Sequence, residues 1–589
     1  MSGTLRLRPV RQRLIRLSAL VAGWSRGWAL LPALLLLSPA VRGEGPHPVS
    51  GPAPAQAAVV AAHPLAAEAG AAVLREGGTA ADATVAAALV LAVVEPQASG
   101  LGGGGFALVL APDGTAETLD FREQAPRGLQ AAAFFDPADS LHAARSHGGT
   151  AVAVPGTAAG LALLHERHGR LPLARLVEPA LRLAHGYPVS RSLAALVAER
   201  AGLFLTDSTF AGLYLKDGLP PMEGDTLANP GLARVLEEIA REGFSAFPAR
   251  HAEALSRAVK EAGGWLESDE LTGYQAILRG TISSDWRGYR LVGPPPPATG
   301  ALAVMQTLEI LEPLDLAALD EPTRLHVLSE ALRKALRDRA ARSADPAFHD
   351  TPLDSLLSPA LAREVLAQIH PDGIHAVWPA LGSRALWSEE PVARPGQSPR
   401  DKGNTTHISV WDAEGRLVSL TQSLNYFFGA GVAADGILLN NQIDDFSWEP
   451  DSPNAPEPGK RPRSSMAPLI VLKDGAPVLC LGTPGGLRIP SSMSEILVNH
   501  LQLGQPLQAA IEAPRWYPAG TTLVWEPRFA PETGPALERI GYRLYPMGPM
   551  DAFFGGAHGI ARVADAQGRS GLEGAADPRR DGQAVLVRP

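Results

Sequence analysis

Thr405 and Thr406 stand where two kinds of chain meet. Before them, Ser388 to Asn404 (SEEPVARPGQSPRDKGN) is rich in Pro, Gly and charge and has no apolar face. After them the chain alternates, with His407, Ser409 and Trp411 on one side and Ile408 and Val410 on the other, the pattern of a half-buried strand. A threonine that merely opens a strand needs no further explanation. At a cleavable junction it can do more. Its hydroxyl is a weak nucleophile and needs a base within reach. Cutting the Asn404–Thr405 bond would give Thr405 an α-amine with an intrinsic pKa of about 7.7–8.0. That amine can take the hydroxyl proton near neutral pH, so one residue supplies both nucleophile and base. The amide nitrogen of the uncut chain is not basic, so this chemistry waits for the same hydroxyl to cut the chain. A flexible linker suits such a cut, because the new ends must separate.

An acyl-transferring nucleophile also needs donors aimed at the developing oxyanion. Gly485-Gly486, just ahead of an expected helix, offers two backbone N–H groups with no side chain in the way. The plain alternative is a Gly-Gly turn. Asn425, Gln442 and Asp445 bring two amides and an acid close to strand-like segments, a set that can hold an ammonium. Ser464 and Ser465 follow Lys460-Arg461-Pro462-Arg463, and arginine with hydroxyls can hold a carboxylate. Together these groups suit the zwitterionic end of an amino acid. Taken singly, each reads as a solvated residue at a strand end. Arg122, in Asp120-Phe121-Arg122-Glu123, also ends a strand, where a surface ion pair is its ordinary role.

Periodicity outlines the elements that must position these residues. Gln56 to Ala62 reads as an apolar strand, and Leu65 to Glu76 as a helix stopped by Gly77-Gly78. Ala80 to Val94 is apolar nearly all round, a buried helix whose one acid, Asp82, is expected to be structural. The run Gly100-Leu101-Gly102-Gly103-Gly104-Gly105 lacks the Lys and hydroxyl of a phosphate loop. It reads as tight backbone packing before a strand from Phe106 to Leu110. Helices are expected over Thr157–His168, Leu173–His185, Ala301–Leu311 and Glu321–Arg342, the last with arginines on its polar face. Two strands are expected around Ala276–Ile282 and Tyr289–Val292. From Thr405 onward the pattern is mostly β: Thr406–Trp411, Leu417–Leu424, Ile437–Asn440, Pro468–Leu472 and Val478–Leu481, with a hairpin turn at Asp474-Gly475. Ser492 and Glu495 have capping-box spacing ahead of an apolar helix. Antiparallel strands covered by apolar helices suggest two packed sheets between helix layers.

With 589 residues, 46% hydrophobic and 19% charged, the chain can bury a large core. A net charge of -9 and the lack of a long basic cluster in the body argue against a nucleic-acid partner. The single cysteine, Cys480, excludes an internal disulfide framework and multi-cysteine metal sites, and no cofactor or metal motif is present. Arg6, Arg8, Arg11, Arg13 and Arg16 precede an apolar stretch from Trp28 to Leu37, then Ser38-Pro39-Ala40-Val41-Arg42-Gly43. That is the order of a secretory signal peptide over residues 1–43. The apolar run falls short of the roughly 20 residues that span a bilayer, so cleavage near residue 43 is expected ahead of two alternatives, an uncleaved anchor and a later start of the chain. The body is therefore expected to work in the periplasm or outside the cell.

These stretches, in this order, resemble the γ-glutamyltransferase family of N-terminal nucleophile hydrolases. The likeness runs from Gln56 to the C-terminus. It is carried by Ala61-Ala62-His63-Pro64-Leu65-Ala66, Gly77 to Ala83, Gly100 to Phe106, Asp120-Phe121-Arg122-Glu123 and Val154-Pro155-Gly156. Further on it is carried by Thr405-Thr406-His407, Leu439 to Phe446, Lys460 to Met466, Pro484-Gly485-Gly486 and Asp577-Pro578-Arg579. The resemblance implies a four-layer αββα fold of the α+β class. It implies self-cleavage into a large subunit, residues 44–404 with the linker 388–404 at its end, and a small subunit, residues 405–589. Thr405 would be the nucleophile. Ser423 falls where the family usually has a second Thr that supports it. Asn425, Gln442 and Asp445 would bind the α-amino group of a γ-glutamyl moiety, Arg122, Ser464 and Ser465 its α-carboxylate, and Gly485 and Gly486 the oxyanion. A γ-glutamyl-enzyme ester would then pass its acyl group to water, an amino acid or a peptide, with glutathione as the typical donor. The segment between Phe446 and Lys460 (SWEPDSPNAPEPG) is shorter than the loop that covers the site in many members, so the chain resembles the lid-less bacterial type. Two other readings stand beside this one. A glutaryl (cephalosporin-type) acylase of the same family would act on a group without the α-amine that Asp445 would meet. A non-catalytic periplasmic γ-glutamyl-peptide binding protein would have no use for an intact Thr405 beside a cleavable linker.

Overall fold

The computed structural model describes residues 54–134, 145–201, 208–375, 378, 404–447, 449–564 and 568–588. Residues 1–43 and 388–403, read above as leader and linker, lie outside them. The strands of the two large sheets are, in chain order, β1 Ala57–Ala61, β2 Gly104–Leu110, β3 Ala116–Phe121, β4 Ile277–Arg279, β5 Ile282–Trp286, β6 Tyr289–Gly293 and β7 Asn404–Trp411. There follow β8 Leu417–Asn425, β9 Leu469–Lys473, β10 Ala476–Gly482, β11 His558–Ala564, β12 Ser570–Ala576 and β13 Gln583–Val587. One sheet has the order β13-β1-β7-β8-β2-β3-β4, the other β12-β11-β10-β9-β6-β5, and neighbours in both are antiparallel.

Side chains alternate across each strand, so each sheet has two faces to cover. The inner faces meet in an apolar layer where Ala58, Val60, Leu108, Trp411 and Leu417 contact Val292, Ile470, Cys480 and Ile560. On the outer face of the first sheet, Val59, Val109, Ile408 and Val410 pack under helices that include Pro64–Arg75, Ala80–Val94 and Thr157–His168. On the outer face of the second, Leu291, Leu469 and Leu479 pack under Gly300–Leu311, Glu321–Arg342 and Ile489–Leu497. The result is the expected four-layer αββα arrangement. It also explains a departure: β7 is buried along its whole length, where alternation predicted a half-buried strand, because helices cover one face and a second sheet the other.

Three further expectations fail for local reasons. The stretch Ala276–Ile282 holds two strand segments: β4 pairs with β3 in the first sheet and β5 with β6 in the second, so the chain changes sheet at Gly280-Thr281. Ser492 caps nothing; its helix already begins at Ile489 with Pro490 in the first turn, and the Ser492 hydroxyl donates to the Phe554 carbonyl at 3.0 Å. The Glu321–Arg342 helix has no solvated arginine face over its middle and end, since Arg333, Arg337 and Arg339 are buried. Asp82, by contrast, is structural as expected. It completes a capping box with Thr79 and accepts from the Arg170 and Leu171 amides.

Candidate active site

Thr405 is the second residue of β7, between β1 and β8, and is 4% exposed. Gln422 of β8 lies opposite Thr406, and Asn425 lies opposite Asn404. Ser423 and Leu424 therefore face the single residue Thr405, which is a β-bulge. Asn425 closes the bulge at φ 78°, in the left-handed region that non-glycine residues seldom adopt. Its amide donates to Ser423 Oγ at 2.7 Å. The glycine-rich run presses on this bulge from β2: a Cβ on Gly103 would lie 2.1 Å from the Ser423 carbonyl oxygen, and one on Gly105 2.2 Å from that of Thr421. Close backbone packing is thus the use of those glycines.

The bulge turns the Ser423 hydroxyl toward the junction. Thr405 Oγ1 donates to Ser423 Oγ at 3.2 Å, and Ser423 Oγ donates to the Asn404 carbonyl oxygen at 2.6 Å. The Asn404 side chain is also held. Its Nδ2 donates to the Gln97 carbonyl at 2.9 Å, and its Oδ1 accepts from the Thr405 amide at 3.1 Å and from Arg580 Nη1 at 2.7 Å. Arg580 Nη1 reaches the Thr405 carbonyl oxygen as well, at 3.1 Å.

His407 is close in sequence but its ring is engaged elsewhere, with Thr421 Oγ1 at 2.8 Å and Ser409 Oγ at 3.1 Å. It stacks on His558. Burial holds His407 well below the usual imidazole value and lowers His558 to about 3, so both rings are neutral. Among the described residues, no histidine bonds the Thr405 hydroxyl.

The candidate recognition residues converge in part. Arg122, expected as a surface ion pair, is 1% exposed. Its Nη2 meets Asp445 Oδ2 at 2.5 Å, and its Nε donates to the Pro462 carbonyl at 3.1 Å. Gln442 Nε2 donates to the same Asp445 oxygen at 2.5 Å. Asp445 itself keeps a third of its side chain open to solvent. Asn425 joins this group through Asn441, whose carbonyl accepts from Asn425 Nδ2 at 3.1 Å. Ser464 and Ser465 follow the carbonyls that hold Arg122, but their hydroxyls have other partners. Ser464 Oγ accepts from the Met466 amide at 3.2 Å, and Ser465 Oγ from Arg339 Nη2 at 2.8 Å. Beneath Arg122, burial pushes the Glu123 carboxyl up to about 7, against the pull of the Arg122 charge.

The end of β10 crosses the start of β7, since a Cβ on Gly482 would lie 2.2 Å from the His407 ring. Gly485 and Gly486 follow that strand end at φ 134° and 57°, conformations that favour glycine. Gly486 then opens the short turn that leads into the Ile489–Leu497 helix.

Sequence reasoning missed two residues beside the candidate site, Arg580 and Asn454. Arg580 stands next to the recognised Asp577-Pro578-Arg579, yet Arg579 is the structural partner, bonded to Glu526 and Asp577, while Arg580 reaches the junction. Asn454, within the short segment between Phe446 and Lys460, donates to the Asp445 carbonyl at 2.8 Å and accepts from the Arg463 amide at 2.9 Å. It ties Asp445 to the Lys460–Met466 segment. The Pro-rich composition there hid an anchored turn. Among the described residues, no cluster of His, Cys, Asp and Glu could hold a metal ion.

Comparison with known proteins agrees with this geometry. Residues 66–587 match the family model described as gamma-glutamyltranspeptidase. The chain is 35% identical over 598 residues to the glutathione hydrolase proenzyme of Escherichia coli (strain K12), covering 97% of this chain and 98% of that protein. It is 35% identical over 542 residues to the Acylase ACY 1 proenzyme of Pseudomonas sp. (strain SE83), covering 90% of this chain and 93% of that one. Its structure is similar to that of the cephalosporin acylase from Bacillus halodurans, with a TM-score of 0.80 and 28% identity over 93% of this chain and all of that one. A match of this extent, joined to the buried threonine at the start of β7 and the αββα layers around it, shows that the chain belongs to the gamma-glutamyltranspeptidase family.

Proposed function

We propose that the chain is a self-processing γ-glutamyl hydrolase and transferase whose nucleophile is Thr405. The observation that carries this reading is the run of hydrogen bonds from the Thr405 hydroxyl to Ser423 Oγ and on to the Asn404 carbonyl oxygen. In the uncut chain, Thr405 Oγ1 attacks the Asn404 carbonyl carbon. Ser423 gives its proton to the carbonyl oxygen and takes the hydroxyl proton of Thr405. The C–N bond then breaks, the proton passes to the nitrogen, and the acyl group of Asn404 is left as an ester on Thr405. Water hydrolyses the ester and frees a threonine with an α-amine. That amine then serves as base for the same hydroxyl.

The mature enzyme attacks the side-chain amide of a γ-glutamyl donor in the same way. Arg122 and Asp445, which pair with each other, exchange that contact for the donor's α-carboxylate and α-amine. Ser464 and Ser465 complete the carboxylate side, Asn425 and Gln442 the amine side, and the Gly485 and Gly486 amides meet the oxyanion. Glutathione and other γ-glutamyl compounds are the donors, and water, amino acids or peptides the acceptors. The short segment after Phe446 leaves the site open to bulky donors and to water. Residues 1–43 act as a signal peptide and send the enzyme to the periplasm or beyond, which cell fractionation checks.

A denaturing gel with N-terminal sequencing tests the centre of this reading. Two fragments are expected, the smaller beginning at Thr405, and Thr405→Ala should stay as one chain. A fully active uncut protein would sink the mechanism. Rates on γ-glutamyl and glutaryl anilides separate the γ-glutamyl reading from a glutaryl acylase, which would favour the donor without an α-amine.

A further inference from the structure

The junction is gripped by a second residue besides Ser423. Arg580 Nη1 donates both to Asn404 Oδ1 and to the Thr405 carbonyl oxygen, so one guanidinium nitrogen spans the two residues of the bond to be cut. The space for this arginine is built in: a Cβ on Gly556 would lie 2.8 Å from Arg580 Cδ. Glu95 lies beside it in the same cavity. It is 6% exposed, its Oε2 has no hydrogen-bond partner, and it lines the same cavity as Arg580, Asn404, His63 and Asp581. The Arg580 charge pulls the Glu95 carboxyl down while burial pushes it up to about 7. The cavity holds about 200 Å³ and reaches the Asn404 side chain.

We propose that Arg580 is a positioning residue for self-cleavage. It fixes the Asn404 side chain and the Thr405 carbonyl so that the carbonyl between them faces the Thr405 and Ser423 hydroxyls. The physical reason is geometric. The peptide plane at the junction can rotate about the Cα atoms of Asn404 and Thr405 unless groups on either side of the bond are held. Ser423 holds the carbonyl oxygen itself. Gln97 and Arg580 hold the Asn404 side chain, and Arg580 the next carbonyl, so the plane has one orientation. Charge-assisted hydrogen bonds of this kind are about twice as strong as neutral ones. Arg580 neither attacks nor transfers a proton.

This inference rests on the reading of Thr405 as the self-cleaving nucleophile. The test is cell-free synthesis of the full chain, with the fragment that starts at Thr405 followed over time on denaturing gels. Thr405→Ala is run in parallel. Arg580→Ala should cut about 10²-fold more slowly or worse, the loss expected for two charge-assisted hydrogen bonds. Millimolar guanidinium should restore part of the rate, because the truncated side chain opens onto the cavity beside Asn404. A structural role exerted through the fold alone would not respond to guanidinium. Cutting of Arg580→Ala at the wild-type rate overturns the proposal, as does slow cutting that guanidinium leaves unchanged. Cutting of Thr405→Ala at the same bond would instead overturn the reading of the nucleophile.

Discussion

The Ser423 hydroxyl lies 2.6 Å from the carbonyl oxygen of Asn404, the oxygen of the bond that joins Asn404 to Thr405. At that distance it can neutralise charge that develops on the oxygen during attack. Removing one such donor typically costs about 10²–10³ in rate. Ser423→Ala is therefore expected to slow self-cleavage by about 10²-fold, and Ser423→Thr, which keeps the hydroxyl, to stay close to wild type. A time course of fragment formation distinguishes them. Equal rates for all three proteins would remove Ser423 from the reaction.

Asp445 should separate processing from donor binding. It touches Arg122 and Gln442 and has no hydrogen bond to Thr405. Asp445→Ala is expected to self-cleave normally and to raise KM for a γ-glutamyl anilide about 10-fold or more, the effect of one lost charge-assisted contact. A stability loss of up to about 3–5 kcal/mol is expected as well, because the change leaves Arg122 buried without this partner. An uncut variant would mean that Asp445 is part of the fold at the junction.

Gly103→Ala tests the bulge without touching a reactive group. The added methyl would lie 2.1 Å from the Ser423 carbonyl oxygen, and backbone rather than a flexible side chain is in the way. A strand shift follows, at a cost of about 1–3 kcal/mol. Lower melting temperature and slower self-cleavage are expected together. Unchanged behaviour in both would show that β2 does not set the position of Ser423.

Much of this molecule is written in its periodicity. The helices Ala80–Val94, Thr157–His168 and Glu321–Arg342 fall on the residues that the pattern marks. So does the Asp474-Gly475 hairpin, where both residues take positive φ. Thr405 stands out as a candidate because it joins a linker-like stretch to a strand, and its hydroxyl does meet that of Ser423. What periodicity does not carry is which sheet a strand joins, as β4 and β5 show. It is equally silent on long-range partners. Arg580 lies 175 residues from Thr405 in the chain, and no local pattern marks it as that residue's neighbour rather than its companion Arg579. Nor does it reveal that the hydroxyls of Ser464 and Ser465 are already engaged, since those partners come from other elements or from the local backbone.

The second sheet carries a pH signature. Burial of Glu495, a residue of the Ile489–Leu497 helix packed on that sheet, pushes its carboxyl up to about 8. A carboxyl whose folded value lies above its unfolded one binds more protons in the fold. Its contribution is most favourable below the unfolded value near 4.5, and is lost as pH rises from there through about 8. Glutamine has no proton to lose. The melting temperature of Glu495→Gln should therefore rise relative to wild type between pH 5 and pH 9, with the sequence otherwise unchanged. A constant difference across that range would show that Glu495 does not titrate there.

The strand order of the first sheet has a consequence for what a cut before Thr405 leaves behind. β1 precedes the cut, yet it is hydrogen-bonded on one side to β13 and on the other to β7, both of which follow it. β8, from after the cut, is in turn bonded to β2, from before it. In the second sheet β9 follows the cut and pairs with β6, which precedes it. The two products are thus laced through one another, and parting them means undoing both sheets. Dilution should not separate such a pair, and its melting temperature should not depend on concentration as that of a simple dimer does. One covalent bond can be given up to make a nucleophile because the remaining architecture already holds the pieces as a single cooperative body.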